Sequence, residues 1–427
     1  MPLTSMNYKF STNDRNFVFD GNNVDILEII DQNQADIKVQ QKIPKKINSH
    51  KGSFLRTLVL NLTNNCNLYC DYCFAKQGKY DKANEIMSFD TAKKSIDILI
   101  DSVINNKGNI LSIAFFGGEP LLEFNLIKEI VEYVTNNTPA NVITRYLITT
   151  NGMLLDQEKV DFIRNNNFLV TVSIDGDKSQ HDAYRKDFSG RGSYDKVAKI
   201  ISNYQTGLKL LTGRITITDK NVNIYEAVQH IRSLGIQNIT YALDYAISDE
   251  VFNQFIISLE DLMDNYLVSI KNKDYYNITN ITSVVVSLAF NLRTIAHCNA
   301  GVSYLSVSAD GKFYRCPRFT GHQDFCLGSL ETLDYKQIET SIANFREELK
   351  DNTGNRTLHC NNCNFIYLCG GICYHHAFTV SKSQFGQVPR ECFYRKKLYD
   401  LVFKFVCKLT ESDRNDFLLY LKSIGWI

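Results

Sequence analysis

Apolar segments of strand length alternate with helix-like segments from residue 54 onward. Six strands are predicted in this region, and they lie at 58–62, 111–116, 142–149, 168–174, 214–218 and 239–243. Helical periodicity marks the segments between them, such as the one that begins after Ser88, a good N-cap residue, and the one at 221–234. Six β/α units predict an α/β fold with a parallel sheet, either wound open or curled into a partial (β/α)6 TIM-like barrel.

The rest of the chain has other patterns. Segments 16–20 and 24–30 alternate in polarity around a Gly-Asn-Asn turn, which predicts an N-terminal hairpin, and the Lys-rich segment 38–51 indicates a linker. A single closing helix is expected over Leu398–Leu421. The predicted units are a hairpin element with its linker, a barrel, a helical connector, a cysteine-rich domain and a C-terminal helix, with bounds 1–53, 54–250, 251–295, 296–400 and 401–427.

Composition narrows the possible functions. The chain has 427 residues, 44% of them hydrophobic, so it can bury a full core. Its 47 Lys and Arg residues balance 46 Asp and Glu residues, so we expect no nucleic acid partner. The longest apolar run, 281–290, is far shorter than the roughly 20 residues of a membrane span, and no secretory signal is readable. We therefore expect a cytoplasmic protein without membrane contact, whose twelve cysteines are metal ligands rather than disulfides.

The cysteines fall into two groups, with none between 74 and 297. Cys66, Cys70 and Cys73 have the spacing C-x3-C-x2-C on the loop after the first strand. Three thiolates can hold three irons of a [4Fe–4S] cubane and leave the fourth iron open for chemistry. A structural zinc site would need a fourth ligand, and the next His or Cys is His181. Zinc or buried thiols remain the alternatives.

Other unusual loops follow the next predicted strands. Gly117-Gly118-Glu119-Pro120 follows the second strand, Thr150-Asn151-Gly152 follows the third, and Asp175-Gly176 ends the fourth. In a β/α barrel the loops at the carboxyl ends of the strands form the reactive face. We therefore expect all these loops to meet beside the three cysteines.

These residues resemble the signature of the radical S-adenosylmethionine (SAM) superfamily, in which an aromatic residue precedes the last cysteine. The resemblance implies that SAM chelates the open iron. It also implies that one electron from a cellular reductant splits SAM into methionine and a 5'-deoxyadenosyl radical, which abstracts a substrate hydrogen. The implied SAM-binding residues are Tyr72, Gly117, Gly118, Glu119, Pro120, Asn151, Ser173 and Arg185.

Each implied contact has a structural alternative. By the resemblance, the Gly-Gly-Glu-Pro loop at 117–120 receives the methionine ammonium through its backbone and its carboxylate. Ser173 and Arg185 match positions that contact the ribose and the carboxylate of SAM. The alternatives are a plain turn for the loop, a surface ion pair for Arg185 and an inward strand position for Ser173. Asn151 and the strand 214–218 fit a role in the fold equally well.

Seven cysteines of the tail resemble the SPASM extension of radical SAM enzymes that act on peptides and proteins. By that resemblance, one auxiliary [4Fe–4S] cluster is held by Cys360, Cys363, Cys369 and Cys392. Three irons of a second auxiliary cluster are then held by Cys298, Cys316 and Cys373. A pair of zinc ribbons is the alternative for the whole tail, because Cys-x2-Cys repeats also suit zinc.

The second auxiliary cluster needs a fourth ligand. Relatives often carry a cysteine about six residues before the first one, where this chain has Leu292. Cys326, an open site, or a group from the substrate are the remaining options. Cys407 matches no position of the extension, so we expect it to be a buried free thiol.

Two functions on peptides compete. Anaerobic sulfatase-maturing enzymes make formylglycine, but they typically place an Asp base directly after the second SPASM cysteine, and Pro317 and Arg318 stand there. A general base is therefore not assigned, and Asp310, Tyr314 and His297 are candidates by sequence proximity. A non-enzymatic iron or zinc protein is a further alternative.

Maturases of ribosomally synthesised peptides are the favoured resemblance, because segments 314–319 and 325–330 look like theirs. Such an enzyme would install a thioether or carbon–carbon crosslink in a precursor peptide, with an auxiliary cluster as electron acceptor. The N-terminal hairpin would either dock the leader of that peptide by strand addition or cover the barrel edge.

Overall fold

The computed structural model describes residues 7–29, 37–38, 54–76, 85–204, 208, 211–294, 296–355, 360 and 363–427, so the predicted linker at 38–51 lies outside them apart from Lys38. The strands are β1 (Asn7–Thr12), β2 (Arg15–Asp20), β3 (Asp25–Ile29), β4 (Ile37–Lys38), β5 (Thr57–Thr63), β6 (Tyr69–Cys70), β7 (Ile110–Gly117), β8 (Ile143–Thr150), β9 (Leu169–Ser173), β10 (Arg185–Lys186), β11 (Thr212–Ile217), β12 (Asn238–Leu243), β13 (Asn277–Ile278), β14 (Tyr304–Val307), β15 (Lys312–Tyr314) and β16 (Cys326–Ser329). The α-helices are α1 (Phe89–Asn105), α2 (Phe124–Asn137), α3 (Gln157–Asn165), α4 (Lys178–Tyr184), α5 (Tyr194–Tyr204), α6 (Ile224–Ser233), α7 (Asp249–Lys271), α8 (Thr279–Ala289), α9 (Tyr335–Asn355), α10 (Ile366–Cys369), α11 (Tyr374–Ser381), α12 (Pro389–Lys408) and α13 (Glu411–Ser423).

One ten-stranded sheet organises the molecule, in the order β13-β12-β11-β9-β8-β7-β5-β14-β15-β16. The six predicted strands are β5, β7, β8, β9, β11 and β12; they run parallel, and this confirms the α/β class with a parallel sheet. Strand β14 comes from the cysteine-rich region and pairs with β5 in parallel, with Leu305 opposite Leu58. The barrel and the cysteine-rich region, predicted as separate domains, therefore share one sheet.

The two faces of this sheet differ in burial. In β7 and β11, buried side chains that pack against the helices alternate with partly exposed ones. The strand register aligns the partly exposed positions, and it places Arg214 opposite Ser173 and Thr240. We call this side the inner face; its members include Ser112, Ala114, Phe116, Thr149, Thr171, Ser173, Thr212, Arg214, Thr216 and Thr240. Closed TIM barrels fill this space with branched apolar side chains, whereas the inner face here is rich in hydroxyl groups.

The N-terminal segment forms a separate antiparallel sheet in the order β1-β2-β3-β4, in which the predicted hairpin corresponds to β2 and β3. This sheet packs on α12 and not on the barrel edge. The Tyr8 hydroxyl donates to the Asp400 carboxylate (2.8 Å), and the rings of Phe19 and Phe403 lie 4.6 Å apart. The edge of β5 is instead covered by β14.

Two helices, α12 and α13, replace the single closing helix expected over 398–421. The backbone is extended at Leu409, and the Thr410 side chain accepts the Asp413 N–H (3.1 Å) to cap α13. The Asp413 carboxylate reaches back to the Thr410 N–H, which completes a capping box, and that signal is readable in the sequence. In the described part of the chain, no helix has both the length and the apolar character needed to cross a bilayer.

Candidate active site

Cys66, Cys70 and Cys73, which we call the loop thiols, follow β5 where a barrel strand ends. Strand β6 pairs with β10, so the backbone holds Cys70 opposite Arg185. Burial raises the pKa of Cys66 to about 12 and that of Cys70 to about 11, and neighbouring thiolates raise both further. These thiols share one buried space, and a bound metal would offset the repulsion between their anions.

The loop at 117–120 is held against the loop thiols by close backbone contacts. A Cβ on Gly118 would lie 2.1 Å from the Asn65 carbonyl oxygen, and the Glu119 N–H donates to that same oxygen (2.8 Å). The Glu119 carboxylate is buried and accepts from the Thr150 hydroxyl (2.6 Å) and the Asn151 N–H (2.7 Å). Its side chain therefore joins two loops, and a contact with the methionine ammonium stays a prediction.

A buried ion pair stands beside the loop thiols. Arg185 donates through Nε to Asp175 (2.7 Å), with both side chains less than a tenth exposed, and its Nη1 lies 4.0 Å from the Cys70 sulfur. The Tyr72 hydroxyl donates to the same carboxylate, and the guanidinium lies 5.2 Å from the centre of its ring. Arg185 is thus not in a surface ion pair, but is positioned toward the cysteine loop.

A buried histidine supports that ion pair from behind. His181 accepts the Asp175 N–H at Nδ1 (3.4 Å), and its Nε2 hydrogen-bonds the Ser193 hydroxyl (2.9 Å). Burial and the nearby Arg185 charge lower the pKa of His181 to about 4. The imidazole is therefore neutral at physiological pH, as its acceptor role at Nδ1 requires.

The other implied SAM-binding residues lie on the same side of the sheet. The Asn151 amide donates to Asn67 (2.7 Å) and lies 3.8 Å from the Cys66 sulfur. Ser173 is buried at the end of β9, and Pro120 begins a short 3-10 turn. The structure thus brings the loops after four successive predicted strands to one place, as the carboxyl-end rule predicts.

Cys298, Cys316 and Cys373, which we call the tail triad, meet beside two tyrosines. Burial raises the pKa of Cys298 to about 12, with further contributions from the other two thiols. The Tyr304 phenol neighbours the Cys298 and Cys316 thiols and partly offsets the burial that raises their pKa. The Tyr245 hydroxyl donates to the Cys373 sulfur (3.6 Å). Arg318 is a charged neighbour of the same thiols, because its backbone N–H donates to the Cys316 sulfur (3.5 Å) and its charge partly offsets the burial that raises the pKa of Cys316.

Cys326 lies on β16, opposite Tyr314. Its sulfur is 3.7 Å from the Gly328 carbonyl oxygen of its own strand, and its electrostatic contact is with Tyr314. Leu292, in the position where relatives carry an extra cysteine, packs against the main core. A role of Cys326 as the fourth ligand of the tail triad stays a prediction.

Four further cysteines line one cavity, and we call them the tail tetrad: Cys360, Cys363, Cys369 and Cys392. Arg395 and Lys396 line the same cavity, and the Lys396 charge partly offsets the burial that raises the pKa of Cys392 to about 11. All twelve cysteines are free thiols. Cys407 is partly buried at the end of α12, as expected for an unassigned thiol.

The Radical SAM superfamily profile matches residues 60–220, which carry the loop thiols and the loops around them. The chain belongs to the radical SAM superfamily. Over 341 residues it is 28% identical to the cysteine-type anaerobic sulfatase-maturating enzyme of Clostridium novyi, covering 75% of this chain and 87% of that protein. It is 25% identical over 386 residues to the radical SAM cyclopropyl synthase TigE of Paramaledivibacter caminithermalis, covering 86% of this chain and 76% of that protein.

The solved structure of native anSMEcpe with bound AdoMet and Kp18Cys peptide has the same fold, with a TM-score of 0.70 at 19% identity over 83% of this chain and 98% of that one. This radical SAM enzyme is accordingly an oxidoreductase that uses SAM and a [4Fe–4S] cluster. The auxiliary clusters stay a prediction. Bound together, SAM and its cluster supply reductive cleavage of a carbon–sulfur bond to give a carbon radical.

The donor sets of this radical SAM enzyme fit clusters. Each set places cysteine thiols together in a buried space, with Arg185 beside the loop thiols and Lys396 beside the tail tetrad. Among the described residues, no group of three or more His, Cys, Asp or Glu side chains is placed to hold a single metal ion. The assignment of each thiol to a particular iron stays a prediction.

The three candidate bases belong to the cysteine-rich region, and the charged and packing neighbours that position them lie within that region. Asp310 is in the turn between β14 and β15, paired with Lys312 (2.8 Å). Tyr314 is 3% exposed and packs in the core of the cysteine-rich region. Burial lowers the pKa of His297 well below its ordinary value, and its strongest charged neighbour is Arg395, which lines the cavity of the tail tetrad. Their catalytic role stays a prediction, without support from these positions.

Sequence reasoning missed the residues that join the two three-thiol sites. The Arg318 guanidinium lies 4.4 Å from the ring centre of Phe74, which directly follows Cys73. Arg318 also donates to the Tyr245 hydroxyl (3.3 Å), which in turn donates to Cys373. Tyr245 comes just after β12, so the carboxyl-end rule that identified the other loops would have identified it as well.

Proposed function

We propose that this radical SAM enzyme is a maturase of a ribosomally synthesised peptide. It removes a hydrogen atom from a residue of the precursor peptide and closes a thioether or carbon–carbon crosslink. The hydrogen atom leaves with the 5'-deoxyadenosyl group, bond formation releases a proton, and the remaining electron passes to an auxiliary cluster. The substrate is therefore oxidised by two electrons in all, one with the hydrogen atom and one to the cluster.

The observation that carries this proposal is the environment of Arg318. The sulfatase-maturing reaction needs a carboxylate base directly after Cys316, and that position holds Pro317. The next residue, Arg318, extends toward the loop thiols and contacts Phe74 and Tyr245. A guanidinium does not accept a proton at physiological pH. The two residues that follow Cys316 therefore do not supply the base of the sulfatase-maturing reaction.

The cluster ligands follow from the same proposal. The loop thiols hold the cluster that binds SAM, the tail tetrad holds one auxiliary cluster, and the tail triad holds three irons of the other. The SAM-binding residues are those implied by the resemblance, with Arg185 positioned by Asp175. The N-terminal sheet packs on α12 and leaves β1 as an edge strand, which supports leader docking by strand addition.

Similarity to a sulfatase-maturating enzyme over 87% of its length favours a second function, the conversion of a cysteine or serine side chain to formylglycine. The two functions give chemically different products. Formylglycine carries an aldehyde that reacts with a hydrazide probe, whereas a crosslinked peptide carries none.

The experiment uses the enzyme reconstituted under anaerobic conditions with SAM, a reductant and the short peptides encoded beside its gene. We expect 5'-deoxyadenosine together with a peptide that has lost two hydrogens, shows a crosslink by tandem mass spectrometry and does not react with hydrazide. A hydrazide-reactive product would assign the sulfatase-maturing function instead. Cys70→Ala is the inactive control.

A further inference from the structure

Arg214 is a partly buried cation on the inner face of the sheet. Its register on β11 places it opposite Ser173 of β9 and Thr240 of β12, so its side chain shares the inner face with their hydroxyl groups. The guanidinium has no ion-pair partner among the Asp and Glu residues that the structure describes. Arg185, by contrast, has Asp175 at 2.7 Å.

A partly buried cation without an anion is unfavourable because the charge has lost part of its water without gaining a partner. The strongest charged neighbours of Arg214 are themselves cations, Arg318 and then Arg185, and together with burial they lower its pKa. Asp175, the carboxylate bound to Arg185, is already shared with Tyr72. An incoming anion would relieve the excess positive charge.

The neighbours of Arg214 also locate that anion between the two three-thiol sites. Arg318 and Tyr245 belong to the contacts with the tail triad, whereas Arg185 and Tyr72 belong to the loop thiols, and all four interact with Arg214. A substrate that loses a hydrogen atom at one site and an electron to the other must lie between them. Arg214 is therefore beside the substrate position as well as beside SAM.

Resting on the proposed function, we propose that Arg214 binds a carboxylate of the substrate peptide, from an Asp or Glu side chain or from a C-terminus, and so selects acidic peptides. The planar guanidinium presents two parallel N–H donors to a carboxylate, a geometry that lysine does not reproduce. The hydroxyl groups of the inner face complete a polar environment for this contact.

The test selects a library of short random peptides for binding to the reconstituted, SAM-loaded enzyme. We expect Asp and Glu to be enriched at one position among peptides bound by the natural enzyme, with about a tenfold or greater loss of affinity for those peptides in Arg214→Met. Arg145→Met is the matched control, because Arg145 also lies on the inner face but at the opposite end of its strand, where it is exposed. No acidic enrichment, or the same enrichment in Arg214→Met, overturns the proposal.

A second measurement separates the peptide from SAM as the source of the carboxylate. Equilibrium dialysis compares SAM with decarboxylated SAM in the natural enzyme and in Arg214→Met. We expect the preference for SAM to persist in the variant, because the methionine carboxylate binds elsewhere. If the variant loses that preference, the methionine carboxylate occupies Arg214 and the peptide assignment is overturned. Both measurements report binding alone, so they hold whether the product is a crosslink or formylglycine.

Discussion

The loop thiols and the tail triad are both sets of three cysteines, but their surroundings differ in charge. The loop thiols lie beside ionisable groups, the buried Arg185–Asp175 pair and Glu119. The tail triad lies beside the phenols Tyr304 and Tyr245, and its charged neighbour is the cation Arg318 rather than a carboxylate. Charged groups orient a charged ligand, whereas neutral donors to cluster sulfurs adjust a reduction potential. The difference fits our proposal, in which the loop thiols serve the zwitterionic cofactor and the tail triad serves electron transfer.

Among the substitutions that test this difference between the two sites, Cys70→Ala should have the most severe effect. We expect it to abolish 5'-deoxyadenosine formation, because the cluster that binds SAM loses a ligand, while about two-thirds of the iron remains in the two auxiliary clusters. Iron determination and chromatographic assay of 5'-deoxyadenosine measure both effects. Cys407→Ala is the matched control and should retain full iron and activity. Loss of all iron in Cys70→Ala would contradict the independence of the sites.

Cys373→Ala tests the other three-thiol site. We expect 5'-deoxyadenosine to form still, while modified peptide falls below detection, because the electron acceptor has lost a ligand. The ratio of product to 5'-deoxyadenosine, measured by mass spectrometry in one reaction, reports this uncoupling. Retention of the natural ratio would show that the tail triad does not take part in the oxidation.

Removal of one phenol should have a smaller and more local effect. In Tyr245→Phe, the Cys373 sulfur loses a hydrogen-bond donor, so we expect the midpoint potential of that auxiliary cluster to shift to a more negative value. Electron paramagnetic resonance during a redox titration measures the shift, and the signal of the SAM-binding cluster should not move. Tyr266→Phe is the control, because its hydroxyl donates to the Tyr276 carbonyl (2.8 Å) in the core. An unchanged auxiliary potential would separate Tyr245 from the cluster.

His181, behind the loop thiols, should make a small contribution to the pH dependence of protein stability. The pKa of His181 is lowered to about 4 in the folded chain from an ordinary value of 6.5. As the pH falls, the unfolded chain therefore binds a proton at this histidine before the folded chain does. The free energy of unfolding is greatest above pH 6.5 and decreases as the pH approaches 4, by about 3 kcal/mol in total. Urea unfolding followed by circular dichroism at several pH values measures this loss. His181→Asn should flatten this part of the profile, and an equally steep profile would assign the effect to other groups.

The local pattern of the sequence predicts the barrel strands well. All six lie within two residues of their predicted ends, because each is an apolar run bounded by polar turns. The loop thiols and the loops after the next strands were predicted from the same rule, since parallel strands bring their carboxyl ends to one edge. These features depend on short-range periodicity and on one topological rule.

The features that were missed depend on contacts between distant segments. The pairing of β14 with β5 joins Leu305 to Leu58, and no local periodicity encodes such a pairing. The packing of Phe19 on Phe403 is equally remote in sequence. Arg318 was seen only as a departure from the sulfatase-maturing pattern, because its contacts with Phe74 and Tyr245 exist only in the folded chain. The helix break at Thr410 is different, because its capping box was present in the sequence.

The parallel pairing of β14 with β5 makes the cysteine-rich region a structural neighbour of the very strand that leads into the loop thiols. A truncation after α8 would remove β14 and expose the unpaired backbone amide groups of β5. Such an exposed strand edge promotes aggregation. The cysteine-rich region is therefore not structurally independent of the barrel. Chimeras with related enzymes should exchange it only together with a matching first barrel strand.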